Sequence, residues 1–145
     1  MLAEYLRPDQ ILLNEGGQDY RDMLQKMVAR SAEQDAGGIV DEILAREKIM
    51  PTALGKGIYL PRIRIDGKTG SEVIIAVNRQ GLRFEEYGSK VANIIMLFIF
   101  SRDDDHAAIL AQSLRLLNDD NLRATLLKCT KETEIIRAIS DWEQA

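Results

Sequence analysis

Val91 to Phe100 reads Val-Ala-Asn-Ile-Ile-Met-Leu-Phe-Ile-Phe, and Asn93 is its only polar side chain. A strand with one wet face would alternate polar and apolar residues. This run does not, so it predicts a central strand covered on both faces. It is about half the roughly 20 residues that a membrane span needs. Two covering layers must come from the rest of the chain, whose 145 residues suit one domain over 1–145. With 46% hydrophobic and 29% charged residues, the composition is that of a globular chain rather than a disordered one.

The covering layers are legible as helices. Asp19 caps a helix expected to reach about Gln34, with Tyr20, Met23, Leu24, Met27 and Val28 on one face. Gly37-Gly38 is expected to break the chain before a second helix, from about Ile39 to Glu47. Ile11-Leu12-Leu13, Ile58-Tyr59-Leu60 and Val73 to Val77 have strand character. Asn78 to Gly81 reads as a turn, with Leu82-Arg83-Phe84 as a returning hairpin arm. Beyond Ser101 the pattern is helical: a stripe of Ala107, Leu110, Leu114 and Leu117, a helix capped by Asp119 or Asp120, and a last helix carrying Ile135, Ile136, Ile139 and Trp142. The expected fold is α/β, a small mixed sheet between helices.

Counting narrows the chemistry. Nineteen basic against 23 acidic residues give a net charge of −4, which disfavours a nucleic-acid binder that works through bulk charge. One cysteine permits no internal disulfide and no cysteine-based zinc site, and one histidine excludes HExxH chemistry. No cofactor and no metal are expected. Met1 to Pro8 has neither the apolar stretch nor the basic lead of a signal peptide, so a cytoplasmic protein without membrane insertion is expected.

Several residues admit a chemical and a plain reading. Cys129, between two helices and far from His106, is a nucleophile or an inert buried thiol. Gly55-Lys56-Gly57 is a fragment of a phosphate loop or a simple turn, since the P-loop spacing is missing. Asp103-Asp104-Asp105 is a cation site or a helix cap. His106, in a first helical turn, is an anion-site residue or a surface histidine. Arg62 and Arg64 follow Pro61 and with Arg46 and Lys56 form a cationic pocket, or they are an exposed pair on an edge strand.

The stretch Arg46-Glu47-x4-Thr52-x2-Gly55-x-Gly57-Ile58-x-x-Pro61-Arg62 resembles the signature of the mannitol/fructose-type enzyme IIA domain of the phosphoenolpyruvate-dependent sugar phosphotransferase system, including its nitrogen-related member. The resemblance extends over nearly the whole chain and implies that family's fold, a mixed sheet flanked by helices. It places the family's phosphoryl-accepting histidine at position 62, where this chain carries Arg62. A guanidinium stays protonated and offers no lone pair to phosphorus. By the same resemblance Arg46 and Thr52 match residues around the acceptor, and His106 matches the family's auxiliary histidine.

Four functions stay open. The chain is a transfer-incompetent regulatory module that binds a phosphorylated small molecule or a protein partner, a phosphocarrier or transporter component. It is an active phosphocarrier using His106. It is an accessory regulatory domain of a transporter. Or it keeps the fold around an unrelated pocket.

Overall fold

The computed structural model describes residues 1–49, 54–84 and 90–145. Two short 3-10 turns, Leu2–Tyr5 and Pro8–Gln10, lead into β1 (Ile11–Leu13). Then come α1 (Tyr20–Val28), α2 (Ala36–Ile49), β2 (Ile58–Tyr59), β3 (Arg62–Arg64), β4 (Glu72–Phe84) and β5 (Lys90–Phe100). Helices α3 (His106–Leu117), α4 (Asp120–Lys128) and α5 (Glu132–Gln144) complete the chain. The sheet is open and mixed. β4 lies between β1 and β5, and β2 and β3 both pair with the other side of β5. β4 is antiparallel to β5, while β2 and β3 run parallel to it.

β5 is the apolar run that opened the sequence reading, and both its faces are covered. Ile94, Met96, Phe98 and Phe100 pack with Leu116, Leu117, Leu122, Leu126, Ile135 and Ile139 of α3, α4 and α5. Ile95, Leu97 and Ile99 point the other way, into a core with Tyr20, Met23, Leu24, Met27, Val40 and Ile43 of α1 and α2. Each such side chain contributes about 1.5–3 kcal/mol on burial, which is why the run tolerates so little polarity.

Four local expectations change. α1 stops at Val28, not near Gln34, and α2 starts earlier, at Ala36. Gly37 and Gly38 therefore sit inside the first turn of α2. The Asp35 carboxylate accepts from the Gly38 N–H at 3.1 Å, so this break is a helix start. Asn78 to Gly81 is not a hairpin turn. β4 continues through it, with a bulge between Val77 and Leu82. Gly81 has φ +82°, and a β-carbon there would stand 2.1 Å from a Val91 methyl, so the bulge needs glycine. On α3 the inward stripe is Ser113, Leu116 and Leu117, while Leu114 is exposed and so is Ala107. The cap of α1 by Asp19 is as read from the sequence, and of the two candidates for α4 it is Asp119 that caps.

Candidate functional site

The site is built where β3 and the end of β5 meet the start of α3. Arg62 pairs in register with Phe98, Ile63 with Ile99, and Arg64 with Phe100. Partners in register point to the same face of a sheet. Arg62 and Arg64 thus share the face of Phe98 and Phe100. The Phe98 and Phe100 rings are stacked, with centroids 5.4 Å apart. The His106 ring continues the stack on Phe100, at 4.1 Å and 15°. Arg62 is half-buried, and among the described residues its guanidinium makes one long contact, Nη1 donating to the Leu60 carbonyl at 3.5 Å. Arg64 is exposed and pairs with Asp66 at 3.4 Å, a surface contact that is largely screened.

His106 is the first residue of α3. Its Nε2 lies 2.6 Å from the Ser101 carbonyl oxygen. A carbonyl only accepts, so Nε2 is the donor. Ser101 is buried and is itself fixed, its N–H donating to Ser71 Oγ at 2.9 Å and its hydroxyl to Asp104 Oδ2 at 2.9 Å. Asp104 Oδ2 also accepts from the Ser71 N–H at 3.0 Å, and Asp104 Oδ1 accepts from the Tyr5 hydroxyl at 3.3 Å. The Ser71 side chain above all holds the Asp104 carboxyl below its ordinary range; slight burial opposes this, and Ser101, the Ser71 amide and Tyr5 reinforce it. Burial, then the neighbouring Asp104 charge, push the Tyr5 phenol up.

The three successive aspartates divide their work. Asp105 caps α3 through the Ala108 N–H at 3.1 Å, Asp104 is the hub just described, and Asp103 is exposed. The capping reading was right for one of the three. Tyr5 is 99 residues from Asp104, so no local pattern pointed to it.

The remaining pocket residues do not all converge. Lys56 Nζ donates to the Asn118 side chain at 3.0 Å, at the C-terminal end of α3, while His106 sits at the N-terminal end. A helix of 12 residues is about 18 Å long, so Lys56 lies far from the histidine. Gly55-Lys56-Gly57 is a turn that starts β2. The Ile58 N–H donates to the Gly55 carbonyl at 3.1 Å, and the Gly57 carbonyl accepts from the N–H groups of Asn93 and Ile94. Gly57 has φ +74°, and a β-carbon there would meet the Asn93 side chain, so its glycine serves strand docking. Arg46 is exposed on α2, whose core residues pack against the opposite face of the sheet. Thr52 lies outside the described residues. Cys129 is buried, its thiol donating to the Thr125 carbonyl, and burial pushes its pKa up, as befits an inert thiol.

An open mixed sheet thus lies between a two-helix and a three-helix layer, with His106 opening the helix after the central strand. The chain belongs to the family described as "Phosphoenolpyruvate-dependent sugar phosphotransferase system, EIIA 2", whose profile matches residues 4–142. It is 31% identical over 107 residues to the multiphosphoryl transfer protein of Salmonella typhimurium, covering 72% of this chain and 27% of that protein. The chain thus spans about a quarter of that relative's length. Its fold matches nitrogen regulatory protein IIA-Ntr from Neisseria meningitidis with a TM-score of 0.77 at 18% identity, covering 95% of this chain and 98% of that one. It also matches a chain of the complex of enzyme IIA-mannitol and phosphorylated enzyme IIB-mannitol from Escherichia coli, with a TM-score of 0.72 at 20% identity over 94% and 97% of the two chains. Among the described residues no helix is long and apolar enough to cross a membrane.

Proposed function

We propose that this domain has lost the phosphoryl-carrying histidine of its family to Arg62 and works as a regulatory module that binds a phosphorylated ligand or an anionic surface of a protein partner. The observation that carries this reading is the position of Arg62. It is half-buried on an edge strand, on the sheet face that bears the Phe98–Phe100–His106 stack, and no carboxylate among the described residues is ion-paired with it. A guanidinium there is a permanent cation with a planar fork of donors, suited to holding a phosphoryl group and unable to accept one. Arg64 adds a second cation one turn of the pleat away. The partner is a protein of the phosphotransferase system in the cytoplasm. This is supported by the family and by the relative seen in complex with a phosphorylated enzyme IIB.

Incubation with phosphoenolpyruvate, enzyme I and the phosphocarrier protein, read by intact mass, is expected to leave the chain without added phosphoryl mass. A stable adduct on the native chain overturns the reading. Titration with a hexose phosphate followed by calorimetry is expected to show binding that Arg62→Ala weakens at least about tenfold, the scale of one hydrogen bond to a charged group. Binding that is untouched by Arg62→Ala points instead to an unrelated pocket.

A further inference from the structure

We infer that Asp104 is a positioning residue for His106: through Ser101 it locks the imidazole as the Nε2–H tautomer and presents Nδ1 as the ring's open acceptor. The inference deepens the reading of the Arg62 face as a ligand site and rests on it only for the use to which Nδ1 is put.

Three constraints act on one ring. The Ser101 carbonyl takes the Nε2 proton at 2.6 Å. Phe100 covers one face of the imidazole at 4.1 Å. The helix start fixes the main chain of His106, with Asp105 as its cap. In a neutral imidazole one nitrogen donates and the other accepts, so a donor at Nε2 leaves the lone pair at Nδ1. The carbonyl can impose this only if it is held still. Ser101 is held on both sides, by Ser71 Oγ at its N–H and by Asp104 at its hydroxyl. Asp104 ties that point to the start of β4 through Ser71 and to the N-terminal turn through Tyr5, so three distant segments converge on the carbonyl that orients the histidine. A monoanionic phosphate ester carries one acidic O–H, a donor that an open Nδ1 lone pair accepts.

The chain has a single histidine, so long-range 1H–15N spectra of uniformly labelled protein need no assignment. The native chain, at a pH where the ring is neutral, is expected to show its proton on Nε2 and the pyridine-type nitrogen at Nδ1. In Asp104→Ala the ratio of the two tautomers is expected to fall by about threefold to tenfold, the scale of a net hydrogen bond. Ser101→Ala removes only the hydroxyl link, and a shift in the same direction is expected there, which decides the matter if Asp104→Ala does not fold. A native ring protonated on Nδ1, or an unchanged ratio in the variant that folds, overturns the inference. Neither result depends on whether Arg62 binds anions, because the spectra are recorded without ligand.

Discussion

On the proposed reading, Arg62→His is expected to give a chain that takes a phosphoryl group, with incorporation rising at least about 100-fold over the native chain under the same donor. The figure is a floor, set by what a misplacement of about 1 Å costs a transfer reaction. The transfer breaks an N–P bond on the donor's phosphohistidine and forms one on the new imidazole. The acceptor must therefore bring a lone pair in line with phosphorus. Arg62 cannot, and a histidine in its place can. The substitution fits sterically, since the side chain is shorter and the position is half-buried on an edge strand, with a single 3.5 Å contact among the described residues, to the Leu60 carbonyl, to lose. The introduced ring must be neutral, so incorporation is expected to fall as pH drops below about 6.5, the ordinary histidine pKa. Adding His106→Ala to Arg62→His is expected to slow incorporation without abolishing it, as suits the auxiliary role that the family resemblance implies for His106. A folded Arg62→His chain that takes up no phosphate would show that position 62 is not the acceptor's place.

What the sequence disclosed follows the range of the interactions involved. β5 was legible because nine apolar residues in a run of ten leave few other fates. Asp19 and Asp119 were legible as caps because a cap acts within three residues of itself. Gly37-Gly38 was misread because glycine is a breaker by propensity. Here the preceding Asp35 satisfies the first-turn amides and overrides that cost. Asn78 to Gly81 was misread because a turn and a bulge ask for the same residues, and only pairing with Val91 and Asn93 across the sheet tells them apart. The candidate site divides in the same way. Arg62 and Arg64 share a face because they lie two apart on one strand, which is a local fact. That Lys56 stands at the far end of α3 from His106 is not local, and neither is the Tyr5–Asp104–Ser101 chain of hydrogen bonds.

Lys68→Met is expected to destabilise the fold by about 3 kcal/mol near neutral pH, the scale of breaking a buried ion pair and leaving its partner uncompensated. The Lys68 side chain is almost wholly buried, 4% exposed, and its Nζ donates to Glu33 at 2.9 Å and Glu72 at 2.6 Å. Glu72 also accepts from the Ala32 N–H at 3.1 Å and from the Gln10 side chain at 2.6 Å, and Gln10 in turn donates to the Arg30 carbonyl at 3.1 Å. The cluster joins the segment after α1, the 3-10 turn before β1 and the turn before β4 to the first residue of β4. Methionine matches lysine in length, so little packing is lost; what remains is two carboxylates near each other without their cation. Burial raises the Glu72 pKa, but Lys68, the Ala32 amide and Gln10 outweigh it and leave it lowered. Burial likewise lowers Lys68, and its two carboxylate partners outweigh that and leave it raised. A lowered carboxylate stabilises the fold above its unfolded pKa of about 4.3, and this is lost as pH falls through the folded value. A raised lysine stabilises below about 10.4, and this is lost as pH rises through its folded value. The native chain should therefore hold a plateau between about pH 5 and 10. The gap to Lys68→Met should narrow on acidification, because protonating Glu72 relieves the variant and weakens the native pair. Urea unfolding at pH 7 and pH 4 reads both effects, with a fall in midpoint of about 1–2 M at pH 7 for an ordinary urea dependence. Lys68→Met combined with Glu72→Gln should cost clearly less than the two single changes added together, since one of the stranded charges is gone. A Lys68→Met chain within about 0.5 kcal/mol of the native one at pH 7, the range of ordinary surface changes, would mean that water reaches the cluster and screens it.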